Sequence, residues 1–106
     1  MPKYLIQASY TAEGAKGLLK DGGTKRRQAA EAALKSVGAR LEAFYFAFGD
    51  NDVVIIADAP DHASIVATSV AVNASGTSTT KATVLLTPEE IDQAVKKSIT
   101  FTPPGR

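Results

Sequence analysis

The chain has 106 residues, of which 12 are basic and 11 acidic, so its formal net charge is +1. This balance excludes binding of nucleic acid or acidic lipid through overall positive charge, and the absence of cysteine excludes disulfides, thiol catalysis and thiolate metal sites. The hydrophobic content of 44% is typical of a folded domain and excludes a disordered chain.

The beginning of the sequence enters a strand pattern at once, without a signal peptide. No apolar run approaches the roughly 18 residues that a transmembrane helix needs. A chain without cysteine also suits a reducing compartment. We therefore expect a cytoplasmic protein that does not associate with membranes.

Hydrophobic periodicity predicts four strands and four helices. The predicted strands are Lys3 to Tyr10, Leu41 to Phe48, Val53 to Asp58 and Lys81 to Leu86. The predicted helices are a short one from Thr11 to Lys20 and longer ones from Thr24 to Val37, from His62 to Ala74 and from Thr87 onward, where the sequence TPEE is typical of a capping box. Residues 99–106 are interpreted as an extended tail, and residues 73–80 as a loop.

The order of the longer elements is βαββαβ, which predicts an α+β, ferredoxin-like domain over residues 1–106. Such a domain has a four-stranded antiparallel sheet with helices on one face. The segment from His62 to Ala74 is rich in β-branched residues, which suit a strand, but it is too long for the usual strand of about five or six residues. We therefore interpret it as a helix.

Both faces of the predicted hairpin over residues 41–58 are apolar. An exposed row of phenylalanines would forfeit about 1.5–3 kcal/mol for each side chain that could be buried. We expect one face to pack against a twin sheet in a two-fold homodimer or a higher oligomer; the alternative is cover by the short helix and the tail of the same chain. The predicted interface residues are Phe44, Phe46, Phe48, Val53 and Ile55.

Several segments resemble the GYD-domain family of small bacterial proteins, over nearly the whole chain. They are the opening MPKYL, the segment YTAEG at 10–14, the segment FGDNDVVII at 48–56, DAPD at 58–61 and VLLTPEE at 84–90. The name-giving motif falls on Gly49, Asp50, Asn51 and Asp52, where Asn51 occupies the position of the usual tyrosine. The resemblance implies a dimeric α+β barrel, a group that includes cofactor-free monooxygenases, muconolactone-type isomerases and haem-handling enzymes, so it does not select a function.

His62 is the only histidine and is a candidate general base near neutral pH; the alternative is an ordinary surface residue at a helix start. No second histidine and no cysteine accompany it, so it predicts no metal site. Asp50, Asn51 and Asp52 could hold a cation through oxygen ligands, but these residue types are equally suited to a tight turn. We predict neither a metal nor a cofactor.

Lys25, Arg26 and Arg27 follow two glycines at a predicted helix N-terminus. Free backbone N–H groups and positive charge at that position favour an anion such as phosphate or a carboxylate. The alternative is a solvated face in which Arg27 pairs with Glu31 one turn later. A P-loop is excluded because its Gly-rich pattern is absent.

The aromatic residues of the strands favour either plain core or a pocket between sheet and helices. Tyr10 and Asn73, with Gln7 and Lys81, are the polar groups expected to face such a pocket. The leading hypothesis is a non-enzymatic protein that self-associates and binds a small molecule. The alternative is a cofactor-independent monooxygenase or isomerase for a small aromatic or enolic substrate polarised by Tyr10, His62 or Asn73. RNA binding on the sheet is disfavoured because basic residues do not alternate with the aromatic ones.

Overall fold

Four antiparallel strands and four helices form the structure, a computed structural model that describes residues 1–106. The strands are β1 (Lys3–Tyr10), β2 (Arg40–Phe46), β3 (Val53–Asp58) and β4 (Ser78–Leu85). The helices are α1 (Ala12–Asp21), α2 (Gly23–Lys35), α3 (His62–Ala74) and α4 (Pro88–Val95). The strands lie in the order β2-β3-β1-β4, so the fold is α+β and ferredoxin-like, as predicted.

The strands β1 and β3 and the helix α3 have the predicted bounds, whereas β2 and β4 differ at their ends. β2 ends at Phe46, so Phe48 lies in the turn and is fully exposed. β4 begins at Ser78, inside the segment predicted to be a loop. Ser78 and Thr79 pair there with the last two residues of β1, which extends the ladder.

The hydrophobic core lies between the helices α2 and α3 and one face of the sheet, here called the covered face. Leu34 of α2 and Ile65 of α3 are each 2% exposed. Burial of side chains of this size stabilises the fold by about 1.5–3 kcal/mol each. The buried sheet residues beneath them are Tyr4, Ile6 and Ala8 of β1 and Val53, Ile55 and Ala57 of β3.

A bulge at Glu42 determines which residues of β2 face the helices. The pairing of β2 with β3 shifts between Leu41 and Ala43. Because successive side chains alternate between faces, Leu41 and Phe44 both lie on the covered face. Ala43 and Tyr45 lie on the opposite face, here called the open face.

The structure corrects the residues predicted for an interface between sheets. Val53 and Ile55 are buried beneath the chain's own helices, and Phe44 and Phe46 pack against the same core. Phe48 lies outside the sheet. Alternation along the two hairpin strands predicts two faces but not which one the helices cover, because both faces are apolar. The apolar residues of the open face are Leu5, Ala43, Tyr45, Val54 and Ile56.

The chain after β4 projects from the rest of the molecule. Residues 86–106, here called the C-terminal arm, contain α4 and are almost entirely exposed. The radius of gyration is 17.0 Å, whereas a compact chain of this length has about 13 Å. The longest dimension is 57 Å. No helix has both the length and the apolar character needed to cross a membrane.

Candidate functional site

A cavity of about 160 Å³ lies between the covered face of the sheet and the helices α2 and α3. It is mostly apolar, since 11 of its 16 lining residues are hydrophobic. A groove between the two helices adjoins it, and Arg26, Thr68 and Ser78 line both the cavity and the groove. The cavity and the groove are therefore contiguous.

The cavity exists because α2 presents alanines to the sheet. Ala29, Ala30 and Ala33 line it from the helix, and Ala8 lines it from β1. Protein interiors are close-packed, so four methyl side chains between the helix and the sheet leave space that larger side chains would fill. The sequence of α2 thus accounts for the open volume between this helix and the sheet.

Polar groups converge at the end of the cavity where β1 ends and β4 begins. The lining there includes Arg26, the one charged residue among the 16. Its only ion pair is with Asp21, whose Oδ2 lies 4.0 Å from the Arg26 Nη1. This distance exceeds that of a hydrogen bond, so the Asp21 carboxylate does not engage the donors of the guanidinium. Hydroxyl-bearing side chains also line the cavity, namely Tyr10, Thr68, Ser69, Ser78 and Thr80.

The start of α2 places Arg26 at this end. Gly22 has a φ of 79°, which favours glycine, and Gly23 packs against the Phe46 ring, whose Cε2 would lie 3.0 Å from an added Cβ. Arg26 follows three residues later. Because Arg26, Ala29 and Ala30 are spaced by three and four residues, they share one side of the helix.

Two residues, Asp52 and Gly14, hold Tyr10 in place at the cavity. Its backbone N–H donates to Oδ2 of Asp52 at 2.8 Å. Gly14 of α1 packs so closely that an added Cβ would lie 2.8 Å from Tyr10 Cδ1 and 2.0 Å from the carbonyl oxygen of Thr77. Asp52 and Gly14 are therefore positioning residues for the end of β1.

The turn at Gly49, Asp50, Asn51 and Asp52 supports the end of β1. The Asp52 N–H donates to the carbonyl oxygen of Ala8 at 2.9 Å, and the Asp52 carboxylate accepts from Tyr10. Asn51 Oδ1 accepts from the Ser9 hydroxyl at 3.4 Å. No group of three or more histidine, cysteine, aspartate or glutamate residues anywhere in the chain is arranged to hold a metal ion. The hydrogen bonds of Asn51 and Asp52 give these two residues a structural role in the turn.

His62 lies at the first position of α3 and does not line the cavity. Its Nδ1 is 2.5 Å from the Tyr4 hydroxyl, and the two rings meet edge to face with centroids 5.6 Å apart. Tyr4 is buried in the core. His62 therefore caps the hydroxyl of a core tyrosine, at the other end of β1 from Tyr10.

The remaining predicted ligand residues lie outside the cavity. Lys25 pairs with Asp21 at 3.7 Å, and Arg27 is exposed on α2. The predicted Arg27–Glu31 pair is replaced by one between Glu31 and Lys35, at 3.9 Å. Asn73 does not line the cavity but bonds a residue that does, Thr80. Its Oδ1 accepts from the Thr80 N–H at 3.0 Å and from the Thr80 hydroxyl at 3.2 Å.

Gln7 and Lys81, also expected at a pocket, pair with each other across β1 and β4. Gln7 also pairs with Val54 of β3 and lies two residues from Leu5, so Gln7 and Lys81 both lie on the open face. The interpretation of Gln7 and Lys81 as pocket residues is therefore wrong.

A charge cluster formed by Lys3, Arg40, Glu42 and Asp58 lies at one end of the open face. Lys3 Nζ is 2.9 Å from Asp58 Oδ1 and 2.8 Å from Glu42 Oε2, and Arg40 Nη2 is 2.8 Å from Asp58 Oδ2. Hydrogen bonds from Lys3 and then Arg40 lower the pKa of Asp58. Hydrogen bonds to Glu42 and Asp58 raise the pKa of Lys3, and the bond to Asp58 raises that of Arg40. Both oxygens of the buried carboxylate are engaged, which gives the cluster a structural role.

These features define a ferredoxin-like α+β domain with a cavity under its helices and an uncovered sheet face. The model of the GYD domain family matches residues 4–95, and the chain belongs to this family. Comparison with curated proteins and with solved structures found no match.

Proposed function

We propose that the protein is a non-enzymatic binding protein that self-associates through its open face and holds a small organic carboxylate in the cavity. The observation that carries this proposal is Arg26, a cation without a close carboxylate partner, in the lining of a mostly apolar cavity. Ligand pockets typically combine apolar walls with a few convergent polar groups that fix the orientation of the ligand.

The size and the polar groups of the cavity indicate the ligand class. An apolar cavity of about 150 Å³ accepts a molecule of the size of benzene, and this cavity measures about 160 Å³. The planar guanidinium of an arginine matches a carboxylate through two parallel hydrogen bonds. An aromatic or short branched aliphatic acid fits both requirements, with its carboxylate at Arg26 and its apolar part among the alanines of α2.

The lining favours binding over proton-transfer catalysis. It contains no carboxylate and no imidazole, the side chains that most often serve as a general base near neutral pH. His62, the candidate base, is engaged by Tyr4 outside the cavity. Arginine and hydroxyl groups orient an anion, and none of them abstracts a proton at neutral pH without activation.

The open face supports self-association. Leu5, Val54 and Ile56 form its centre on the two middle strands, and Tyr45 on β2 is 69% exposed. A sheet face that meets water normally alternates to polar residues. An apolar centre instead favours contact with the same face of a second copy, which buries these side chains on both.

Calorimetric titration with benzoate as the probe tests the ligand site. We expect the wild-type protein to bind benzoate, and Arg26→Gln to weaken binding at least tenfold. Arg27→Gln is the matched control, since it removes the same charge one position away and outside the cavity, and it should leave the affinity unchanged. Benzyl alcohol, which has the ring without the charge, should bind more weakly than benzoate.

A second variant tests the apolar part of the cavity. Ala30→Leu should fill the space beside the sheet and abolish benzoate binding while the far-ultraviolet circular dichroism stays that of the wild type. Equal benzoate affinities for Arg26→Gln and Arg27→Gln would contradict the proposal. So would an absence of binding by benzoate, isovalerate and every other small carboxylate tested.

A further inference from the structure

We propose that Ser78 binds the ligand beside Arg26, and that the ligand of the cavity is a 2-hydroxy acid whose hydroxyl group pairs with the hydroxyl of Ser78. The inference rests on the proposed carboxylate site and names the class of carboxylate that it holds. The burial of Ser78, the absence of a hydrogen-bond partner for its hydroxyl within the chain and its position near Arg26 support it.

The hydroxyl of Ser78 is a polar group that is buried without a partner in the chain. Ser78 is 7% exposed, and none of the side-chain hydrogen bonds of the chain involves its hydroxyl. Buried polar groups are normally hydrogen-bonded. Every side-chain oxygen or nitrogen that is completely enclosed in this chain has a partner, so the Ser78 oxygen borders open space. Ser78 lines both the cavity and the adjoining groove, and its hydroxyl can therefore bond a ligand there.

The other hydroxyl groups of the cavity lining are either bonded within the chain or partly exposed. The hydroxyls of Thr68 and Thr80 donate to a backbone carbonyl oxygen at 3.0 Å and to a side-chain amide oxygen at 3.2 Å, respectively. Tyr10 and Ser69 are only half-buried. Ser78 thus differs from the other four in being both buried and unbonded.

The start of β4 fixes the position of this hydroxyl. Ser78 pairs with Tyr10, two residues along β1 from Ala8, which is buried on the covered face. Because alternate residues of a strand share a face, the Ser78 side chain also lies beneath the helices. The Thr11 N–H donates to the carbonyl oxygen of the preceding residue, Thr77, at 3.0 Å. The backbone at Ser78 is therefore ordered before a ligand binds, which lowers the entropic cost of binding.

Ser78 and Arg26 border the junction between the cavity and the groove. Five residues line both spaces, and the polar ones are Arg26 from α2, Thr68 from α3 and Ser78 from β4. The Arg26 side chain is 38% exposed, so Ser78 lies deeper. With the carboxylate of the ligand at Arg26 and its apolar part inside the cavity, the carbon next to the carboxylate, carbon 2, lies nearest to Ser78.

The unbonded hydroxyl discriminates between ligands that differ at carbon 2. A ligand with only hydrogen atoms there would cover the Ser78 hydroxyl without bonding it, and an unsatisfied buried polar group is costly. A 2-hydroxy group instead pairs with it, since each hydroxyl can both donate and accept. Sites that bond a hydroxyl of the ligand strongly reject analogues that lack it. Because the carboxylate, the hydroxyl and the apolar part contact different sides of the site, one enantiomer of the 2-hydroxy acid should bind better than the other.

Calorimetric titration of the wild-type protein with phenylacetate and with each enantiomer of mandelate tests the inference. These acids share the aromatic ring and the charge, and mandelate adds one hydroxyl at carbon 2. We expect the preferred enantiomer of mandelate to bind at least tenfold more tightly than phenylacetate. If neither enantiomer binds more tightly than phenylacetate, the inference is overturned.

Two variants assign the preference to a residue. Ser78→Ala should reduce the preference for mandelate to less than threefold and bind phenylacetate at least as tightly as the wild type, because no hydroxyl is left to be covered. Ser69→Ala removes a hydroxyl from the lining away from the junction; it is the matched control and should keep the wild-type preference. Ser78→Ala should also melt at no lower temperature than the wild type, since it loses no hydrogen bond within the chain. An undiminished preference in Ser78→Ala would overturn the inference.

The outcomes separate this inference from the proposed function. Binding of benzoate and phenylacetate that depends on Arg26, without a preference for mandelate, would overturn the role of Ser78 and leave the carboxylate site intact. A protein that binds none of the three acids would overturn both. A preference for mandelate that is lost in Ser78→Ala and kept in Ser69→Ala supports a 2-hydroxy acid as the ligand.

Discussion

The two faces of the sheet are built from the same strands but differ in what they contact. The covered face carries most of the buried residues of the core and encloses the cavity. The open face has an apolar centre and the charge cluster at one end. Because successive residues of a strand alternate between faces, the position of a residue along its strand decides whether a substitution affects folding and ligand binding or association.

The largest expected difference between the faces is in the free energy of unfolding. Leu34→Ala removes a side chain that is 2% exposed and should cost about 2–5 kcal/mol. Tyr45→Ala, on the open face, should cost less than about 0.5 kcal/mol in the monomer. Urea denaturation at low protein concentration measures both. Equal losses would mean that the open face also packs within the chain.

Two glycines of α1 test how closely this helix packs against the end of the sheet that borders the cavity. Gly14→Ala places a methyl group 2.0 Å from the Thr77 carbonyl oxygen, which cannot move without shifting the start of β4, so a loss of about 1–3 kcal/mol is expected. Gly17 has nothing within 4 Å of an added Cβ, and Gly17→Ala should stabilise by about 0.4–1 kcal/mol. Thermal unfolding of the two variants checks the difference, and a Gly14→Ala protein as stable as wild type would contradict the close packing.

The charge cluster should make part of the stability depend on acid pH. The pKa of Asp58 is lower in the folded protein than in the unfolded chain because Lys3 and Arg40 donate to its carboxylate. The ionised Asp58 carboxylate therefore stabilises the folded protein above the pKa that it has in the unfolded chain. This stabilisation is lost as the pH falls through the pKa of Asp58 in the folded protein. Asp58→Asn should cost about 1–3 kcal/mol at pH 7.

Urea titrations between pH 7 and pH 2 measure this dependence. The Asp58→Asn protein should lose less stability on acidification than the wild type, because the variant has no carboxylate to protonate at this position. Asp50→Asn, in the exposed turn, is the control and should follow the wild-type profile. A wild-type-like acid dependence in Asp58→Asn would contradict the role of the cluster.

The substitution Tyr45→Ala has the smallest expected effect on the free energy of unfolding, but it should measurably weaken association of the subunits. Tyr45→Ala should raise the dimer dissociation constant about tenfold, equivalent to about 1.4 kcal/mol, because Tyr45 presents a large aromatic ring on the open face. Thr83→Ala, on β4 at the level of Leu5, changes little apolar area and is the control. Sedimentation of both variants measures the change; a Tyr45→Ala dimer as tight as the wild type would exclude the open face as the interface.

The element order can be predicted from the sequence because strand and helix periodicities differ in most segments, and because residues 62–74 are too long for a usual strand. The hairpin strands alone do not predict which face the helices cover, since both faces of the hairpin are apolar. The informative signal is in β1, where Gln7 and Ser9 alternate with Ile6 and Ala8. A strand with one polar side indicates the uncovered face, and Ile55 pairs with Ile6 on the other.

The cavity could be predicted only in part. Arg26 is one of three consecutive cations, and its spacing of three, four and seven residues from Ala29, Ala30 and Ala33 distinguishes it from its neighbours. The contribution of Asp52 to the end of β1 depends on the register of β1 with β3, which the sequence pattern alone does not fix. The charge cluster requires the register of three strands for the same reason.

The most direct test of the account is a titration of ¹⁵N-labelled protein with benzoate, followed by two-dimensional NMR. We predict saturable chemical-shift changes at the amides of Ala29, Ala33 and Ser78, with little change at Leu5 and Tyr45 on the open face, and their loss in Arg26→Gln. Changes centred on the open face, or no saturable change at the cavity, would contradict a carboxylate site beneath the helices.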